Sequence, residues 1–255
     1  MSIRDIGFVY FGLHGVLIDS VRLREQYPKQ VARVLAQTYG DLVDWEAAYR
    51  QVALDWDSYY ADLDLAGQNG VDHLWEGMFR TTRAIFRQAG MPEPPKSELT
   101  RLARSLPGRA SSGCEAAYSD VRQTLASLRR RGIRLGAFAA MSSGQMRGLL
   151  DGARIRSWFM PHALLGIDTI ERFHHDADYW QLATNRAHAP KEAILVVDMH
   201  TNVLGAAQSI GMRAVRINRV GDADSKDMAS VRTLAGLTEW ILPEHPTFPS
   251  RRTTP

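Results

Sequence analysis

The sequence predicts an α/β protein, a doubly wound parallel sheet interrupted by an inserted all-helical domain. Two patterns predict it. Through the second half of the chain short apolar runs alternate with amphipathic segments, as in successive βαβ units. Between the first apolar run and that alternation, residues from about 20 to 105 carry helical spacing alone.

The first run, Ile6 to Leu13, is aromatic and β-branched and ends at His14-Gly15, so it reads as a buried strand. Helical spacing then places Val31, Val34, Leu35 and Tyr39 on one face. A second helix carries Trp45, Ala48, Tyr49, Val52 and Trp56, and a third Leu74, Met78, Ile85 and Phe86. Met91 to Pro95 is a rigid break, and Pro107 to Gly113 reads as a loop. Beyond it come a helix over 120–131 with Ser119 as its N-cap, a strand over 133–140 and a helix over 143–153. A short strand over 163–167 and a helix over 178–187 follow. The alternation closes with strands over 193–197 and 213–217 around a helix over 202–210. The predicted division is a core from residues 1–19 and 106–243, a helical cap from 20–105, and a mobile tail over 244–255. Such a cap lies over the C-terminal edge of the sheet, where open α/β sheets bind ligands.

Composition narrows the function. A hydrophobic fraction of 45% and a net charge of +3 in 255 residues suit a globular chain and give no basic surface for nucleic acid. The one basic run, Arg129-Arg130-Arg131, falls at a predicted helix end, where cations suit the dipole. A single cysteine, Cys114, forms no internal disulfide. The apolar stretch from Gly7 to Ile18 is broken by His14 and has no basic leader, so no signal peptide is expected. No run is long enough to span a membrane, and the cytoplasm is the expected location.

Four spaced segments carry a resemblance: Phe11-Gly-Leu-His-Gly-Val-Leu-Ile-Asp-Ser20, Leu135-Gly-Ala-Phe-Ala-Ala140, His174-His-Asp-Ala-Asp-Tyr-Trp180, and Val196-Val-Asp-Met-His-Thr-Asn-Val-Leu-Gly-Ala-Ala207. In order and spacing they resemble the motifs of the haloacid dehalogenase superfamily with a helical cap after the first strand. That resemblance implies a Rossmann-like core whose first-motif aspartate attacks phosphorus or a halogen-bearing carbon. Here the position is Gly12, which has no side chain to attack with. The second acid of the motif corresponds to His14, the phosphoryl-binding hydroxyl to Ala139 and the lysine to His174. Of the metal-binding acids Asp198 remains, and Asn202 stands four residues on. With one carboxylate left, Mg²⁺ binding is expected to be weak or absent and no cofactor is expected.

The replacements are themselves chemical groups. His14, His174, His175 and His200 are four of the eight histidines, and the resemblance brings their segments to one sheet edge beside Asp198. Imidazoles there can act as general acid and base, which nominates His14, His174 and Asp198 as catalytic residues. The same three could instead ligate a transition metal, with Asp198 the one acid available. Gly12, Ala139, His175, His200 and Asn202 are candidates for contact with substrate, as are Trp56 and Tyr60 of the cap, with Tyr59 and Trp75 as further aromatic walls. Two functions are compatible: non-hydrolytic acid–base chemistry on a small organic molecule between cap and core, or a catalytically inactive binding or regulatory protein. Neither a nucleic-acid nor a membrane partner is expected, and a homodimer is left open.

Overall fold

The computed structural model describes residues 6–220 and 228–241. The tail expected over 244–255 lies outside these described residues. Six parallel strands, β1 (Phe8–Gly12), β2 (Arg134–Phe138), β3 (Leu164–Leu165), β4 (Ile194–Asp198), β5 (Arg213–Ile217) and β6 (Ser230–Val231), form one sheet in the order β3-β2-β1-β4-β5-β6. The chain winds outward from β1 through β2 and β3, then returns to β4 and winds the other way. The switch point therefore lies between β1 and β4, which pair with Phe11 opposite Val197, so that Gly12 and Asp198 end their strands side by side.

Alternate residues of each strand face opposite layers, and both layers are apolar, so the strands read as unbroken hydrophobic runs. Val9, Phe11, Leu135, Ala137, Leu195 and Val197 pack on one face. Against them lie α5 (Val121–Arg130), α6 (Ser143–Gly152) and α10 (Leu234–Ile241). Phe8, Tyr10, Phe138, Ile194 and Val196 face the other way, onto α8 (Ala177–Ala187) and α9 (Thr201–Ser209). Trp180 anchors that layer, edge-on to Phe138 and Tyr10, while the Tyr10 hydroxyl donates to the Ala183 carbonyl at 2.8 Å. The third strand is shorter than the sequence pattern suggests: after Leu165 the chain turns at Gly166 into the short helix α7 (Ile167–Ile170).

The helical insertion contains α1 (Ser20–Tyr39), α2 (Trp45–Leu54), α3 (Gly70–Gln88) and α4 (Lys96–Ser111). The starts of α1 and α2 are capped by side chains. Asp19 accepts from the Val21 and Arg22 amides at 2.9 and 3.3 Å, and Asp44 from the Ala47 amide at 2.9 Å, satisfying donors that the first turns leave free. Val31, Leu35, Trp45, Val52, Ile85, Phe86, Leu99 and Leu102 make the bundle's own core.

The loop expected over 107–113 is instead the last turns of α4, which runs through Pro107 to Ser111. Pro107 removes one amide, but the packing of α4 on α6 decides the conformation. A Cβ at Gly108 would stand 2.8 Å from the Gly144 carbonyl, and one at Gly148 would collide with the Gly108 carbonyl. Two helix backbones thus touch through glycines, an approach no larger residue permits, and a helix is what fits there.

Ser119 is not the cap of α5. Asp120 holds that position without capping, and its carboxylate accepts from both terminal nitrogens of Arg219 at 3.0 Å and from the Leu234 amide at 2.9 Å. Arg219 also donates to the Val16 carbonyl at 2.7 Å and lies 3.8 Å from the Tyr118 ring centroid. One guanidinium thereby ties the turn after β1 to α5 and to the start of α10.

Candidate functional site

The site is built where β1 and β4 end. Gly12 is followed by a tight turn in which the Gly15, Leu17 and Ile18 amides return to Ile18 and Leu13 carbonyls, leaving His14 half-buried at the sheet edge. Asp198 closes β4 and is 4% exposed. Its Oδ1 accepts from the His200 amide and faces His200 Nδ1, both at 2.8 Å. An ionised Asp198 can only accept here, so the contact favours the tautomer with its proton on Nδ1 of a ring that is more than half exposed. The other oxygen, Oδ2, leans over Gly12, where a Cβ would collide with it and would stand 3.1 Å from Cγ and 3.4 Å from Val16 Cγ2. The volume in which a side chain at residue 12 would begin is already filled by the carboxylate of Asp198.

Burial sets the electrostatics. It pushes the Asp198 carboxyl above the ordinary carboxylate range, with the His200 donors pulling the other way. Burial likewise lowers the His14 imidazole, and His200 adds to the effect. His174 is held down to about 4 by burial, then by His175 and His200, against a smaller opposing pull from Asp176. His200 therefore lies close enough to both His14 and His174 to disfavour their protonated forms. His174 stacks among Phe138, Phe173 and Tyr179 rather than standing in open solvent.

A cavity of about 1040 Å³ opens beside this cluster, between the sheet edge and the helical insertion. His14, Ala140, Met141 and Gln145 bound it from below, while α1 to α4 and the aromatic segment after α2 supply the remaining walls. Of the residues singled out in the sequence, His14, Trp56 and Tyr60 line it. Trp56 is 38% exposed at its mouth and stacks on Tyr60 with centroids 5.7 Å apart. His174, Asp198 and His200 are not among the lining residues, and of the three only His200 is close enough to His14 to act on its titration. Gly12 is buried beneath Asp198, Ala139 packs against the core, and His175 and Asn202 are exposed. The expected aromatic walls at Tyr59 and Trp75 are not walls: Tyr59 packs on the bundle core, and Trp75 lies under the Arg104 guanidinium at 5.1 Å.

The residues do not suit the magnesium ion that the resemblance implies. Gly12 offers no ligand, Oδ1 of Asp198 is held by two donors from His200, and an imidazole at residue 14 replaces an acid. Nor do His14, His174 and Asp198 form a transition-metal set. Among the described residues no group of three or more His, Cys, Asp or Glu side chains is arranged to hold an ion.

Sequence reasoning missed the cap residues that shape the cavity, notably Arg24, Tyr27, Tyr49 and Met78. They sit at ordinary helical spacing and carry no motif. It also missed Asp168, which accepts from the Ser143 amide and hydroxyl at 2.6 and 2.9 Å and so fixes the start of α6.

Comparison with known proteins agrees with this architecture. No family model matches the chain. Two curated (S)-2-haloacid dehalogenases, from Pseudomonas putida and Pseudomonas fluorescens, are each 26% identical over 129 residues, 49% of this chain and 56% of the relative. The chain thus matches little more than half the length of these relatives. Among solved structures, the L-2-haloacid dehalogenase of Xanthobacter autotrophicus with chloropropionic acid covalently bound superposes with a TM-score of 0.56 at 17% identity, covering 94% of this chain and all of that one. A HAD phosphatase from Thermococcus onnurineus gives 0.58 at 20% identity, with 92% and 98% covered. The chain has the haloacid dehalogenase superfamily fold, with a parallel α/β core and a helical insertion after the first strand. Among the described residues no helix is long and apolar enough to cross a membrane.

The depressed imidazoles have a consequence for stability. An unfolded His174 titrates near 6.5, whereas the folded one stays neutral down to about 4. Between those values the unfolded chain takes up a proton that the folded chain refuses. The contribution of His174 is therefore complete above pH 6.5 and is lost as the pH falls toward 4. His14 acts with the same sign, while Asp198, raised by burial, acts with the opposite one. Urea midpoints between about pH 7 and pH 4.5 should fall, and His174→Gln should flatten that fall. Parallel curves for wild type and variant would remove His174 as the cause.

Proposed function

We propose that this protein binds a small organic molecule in the cavity between the sheet edge and the helical insertion and moves protons on it without forming an enzyme ester. One observation carries the reading: the atoms beside Gly12 are those of Asp198, so the first strand presents no nucleophile, while His14 reaches the cavity floor. Burial keeps His14 neutral near pH 7, the form that accepts a proton. Behind it, Asp198 favours one His200 tautomer, as a buried carboxylate orients an imidazole in an acid–base pair. The cluster supports three proton-carrying sites, His14, His174 and the Asp198–His200 pair. Steps that such a set can serve are isomerisation, cyclisation or dehydration, in which one position loses a proton and another gains one. The core over 1–19 and 106–243 supplies these groups in this proposal, and the cap over 20–105 supplies the walls.

A second reading, a binding protein without turnover, is favoured by the fact that His14 is the one imidazole among the lining residues of the cavity. The two readings separate in a direct experiment. Wild-type protein is incubated with L-2-chloropropionate, and separately with p-nitrophenyl phosphate and Mg²⁺, while chloride, p-nitrophenol and intact mass are followed. Neither product nor any mass increase is expected, and a carboxyl ester on this chain would overturn the proposal. In parallel, apolar ketones and carboxylic acids are screened in D₂O for protein-dependent deuterium incorporation. His14→Ala should lower any such exchange by about 100-fold or more. No exchange with any compound, alongside demonstrated binding, would leave the binding-protein reading.

A further inference from the structure

The cavity walls suggest what kind of molecule fits. At about 1040 Å³ it stands at the upper end of ordinary ligand pockets, roughly 300–1,000 Å³. That is far more space than a small haloacid such as chloropropionic acid fills. Its apolar lining includes Leu74, Met78, Ile85 and Leu106 of the bundle, so water filling it would meet hydrocarbon on most sides.

Set in this apolar wall are polar groups without partners. The rings of Tyr27 on α1 and Tyr49 on α2 lie 5.5 Å apart, and neither hydroxyl has a hydrogen-bond partner among the described residues. Neither oxygen is among the sealed polar atoms of the interior, so both keep accessible surface, and both residues line the cavity. An unpartnered phenol in such surroundings is costly unless something accepts its hydrogen bond. Burial and the neighbouring Tyr49, Cys114 and Tyr60 keep Tyr27 protonated, and burial does the same for Tyr49, so both are donors at any physiological pH. One turn back along α1, Arg24 lines the same cavity and pairs with no acid among the described residues, whereas Arg50 is engaged by Glu46 at 2.7 Å.

We infer that the ligand is a bulky, largely apolar carboxylate, aromatic or medium-chain aliphatic, with its carboxylate taken by the Tyr27 and Tyr49 hydroxyls beside Arg24 and its hydrocarbon body lying against Tyr60, Met78 and Ile85. The assignment rests on the reading of the cavity as a small-molecule site and names the class of molecule it holds. Two neutral donors and one cation match the acceptors and charge of a carboxylate. The apolar remainder of the wall selects against short acids, whose single methyl group would leave most of the cavity wet.

The test uses 2-naphthoate as the probe, titrated calorimetrically into the full-length protein. Wild type should bind one equivalent, and L-2-chloropropionate should not compete. Tyr27→Phe combined with Tyr49→Phe keeps both rings and should weaken 2-naphthoate at least about 30-fold, from two lost hydrogen bonds to a charged acceptor. Arg24→Gln should weaken it about tenfold and reduce its dependence on salt. Naphthalene, which has no carboxylate, should bind wild type and the double variant alike. Circular dichroism of the variants confirms folding. The inference is overturned if wild type does not bind 2-naphthoate, or if the double variant binds it as tightly as wild type does. Binding with the expected ratios but without deuterium exchange would instead count against the catalytic reading alone.

Discussion

Replacing Gly12 with aspartate should destabilise the protein by roughly 2–3 kcal/mol and yield no phosphatase or dehalogenase activity. The new Cβ collides with Asp198 Oδ2, and the carboxylate it carries would be a second buried acid beside the first. Asp198 cannot simply turn away, because its Oδ1 is held by the His200 amide and ring. Overpacking and like-charge repulsion therefore act together. In thermal unfolding the variant should melt roughly 5–10 °C below wild type. Gly12→Ala should show part of the loss, since the first carbon alone is already in collision. Removing the obstruction, with Asp198→Ala in the Gly12→Asp background, should recover part of the stability. A Gly12→Asp protein as stable as wild type would show that Asp198 does not fill the site. One that also releases phosphate or halide would undo the functional proposal.

The second large effect lies away from the cavity. Asp120→Ala should cost about 3 kcal/mol, because it strands a guanidinium that is 13% exposed and removes the acceptor of the Leu234 amide. Arg219 would keep its bond to the Val16 carbonyl and its place on the Tyr118 ring, but with an uncompensated charge. Thermal unfolding should show a loss of roughly 6–12 °C. Arg219→Met introduced together with Asp120→Ala should be less damaging than the sum of the two single changes, since a charge is removed with its partner. A loss below about 1 kcal/mol in Asp120→Ala, or strict additivity in the pair, would show that this link is solvated and unimportant.

Much of the fold was legible because periodicity is local. The longer strands and helices of the second half up to Ile217 were visible from apolar spacing, as were the cap helices through Phe86, whereas the four-residue helix α7 was not. The failures have specific causes. Pro107-Gly108 carries a loop signature, yet helix α4 continues through it because Gly108 and Gly148 bring it into backbone contact with α6. Ser119 looked like a cap, but the adjoining Asp120 is committed to Arg219, far along the chain. Strand β6 and helix α10 are too short, and too dependent on the sheet they complete, to stand out by pattern.

The site divides along the same line. The sequence alone determined that residue 12 has no side chain, that residue 14 is an imidazole and that one acid remains at residue 198, since these are matters of covalent chemistry. Tertiary structure alone decided where the groups go. It placed the Asp198 carboxylate over Gly12, bound that carboxylate to His200, left His174 among aromatic rings, and opened a cavity walled by Tyr27 and Tyr49. Those outcomes depend on which side chains occupy the same few cubic ångströms when strands β1 and β4 are laid side by side. Spacing along a chain does not encode that, because excluded volume and hydrogen-bond geometry act between residues that are neighbours only after folding.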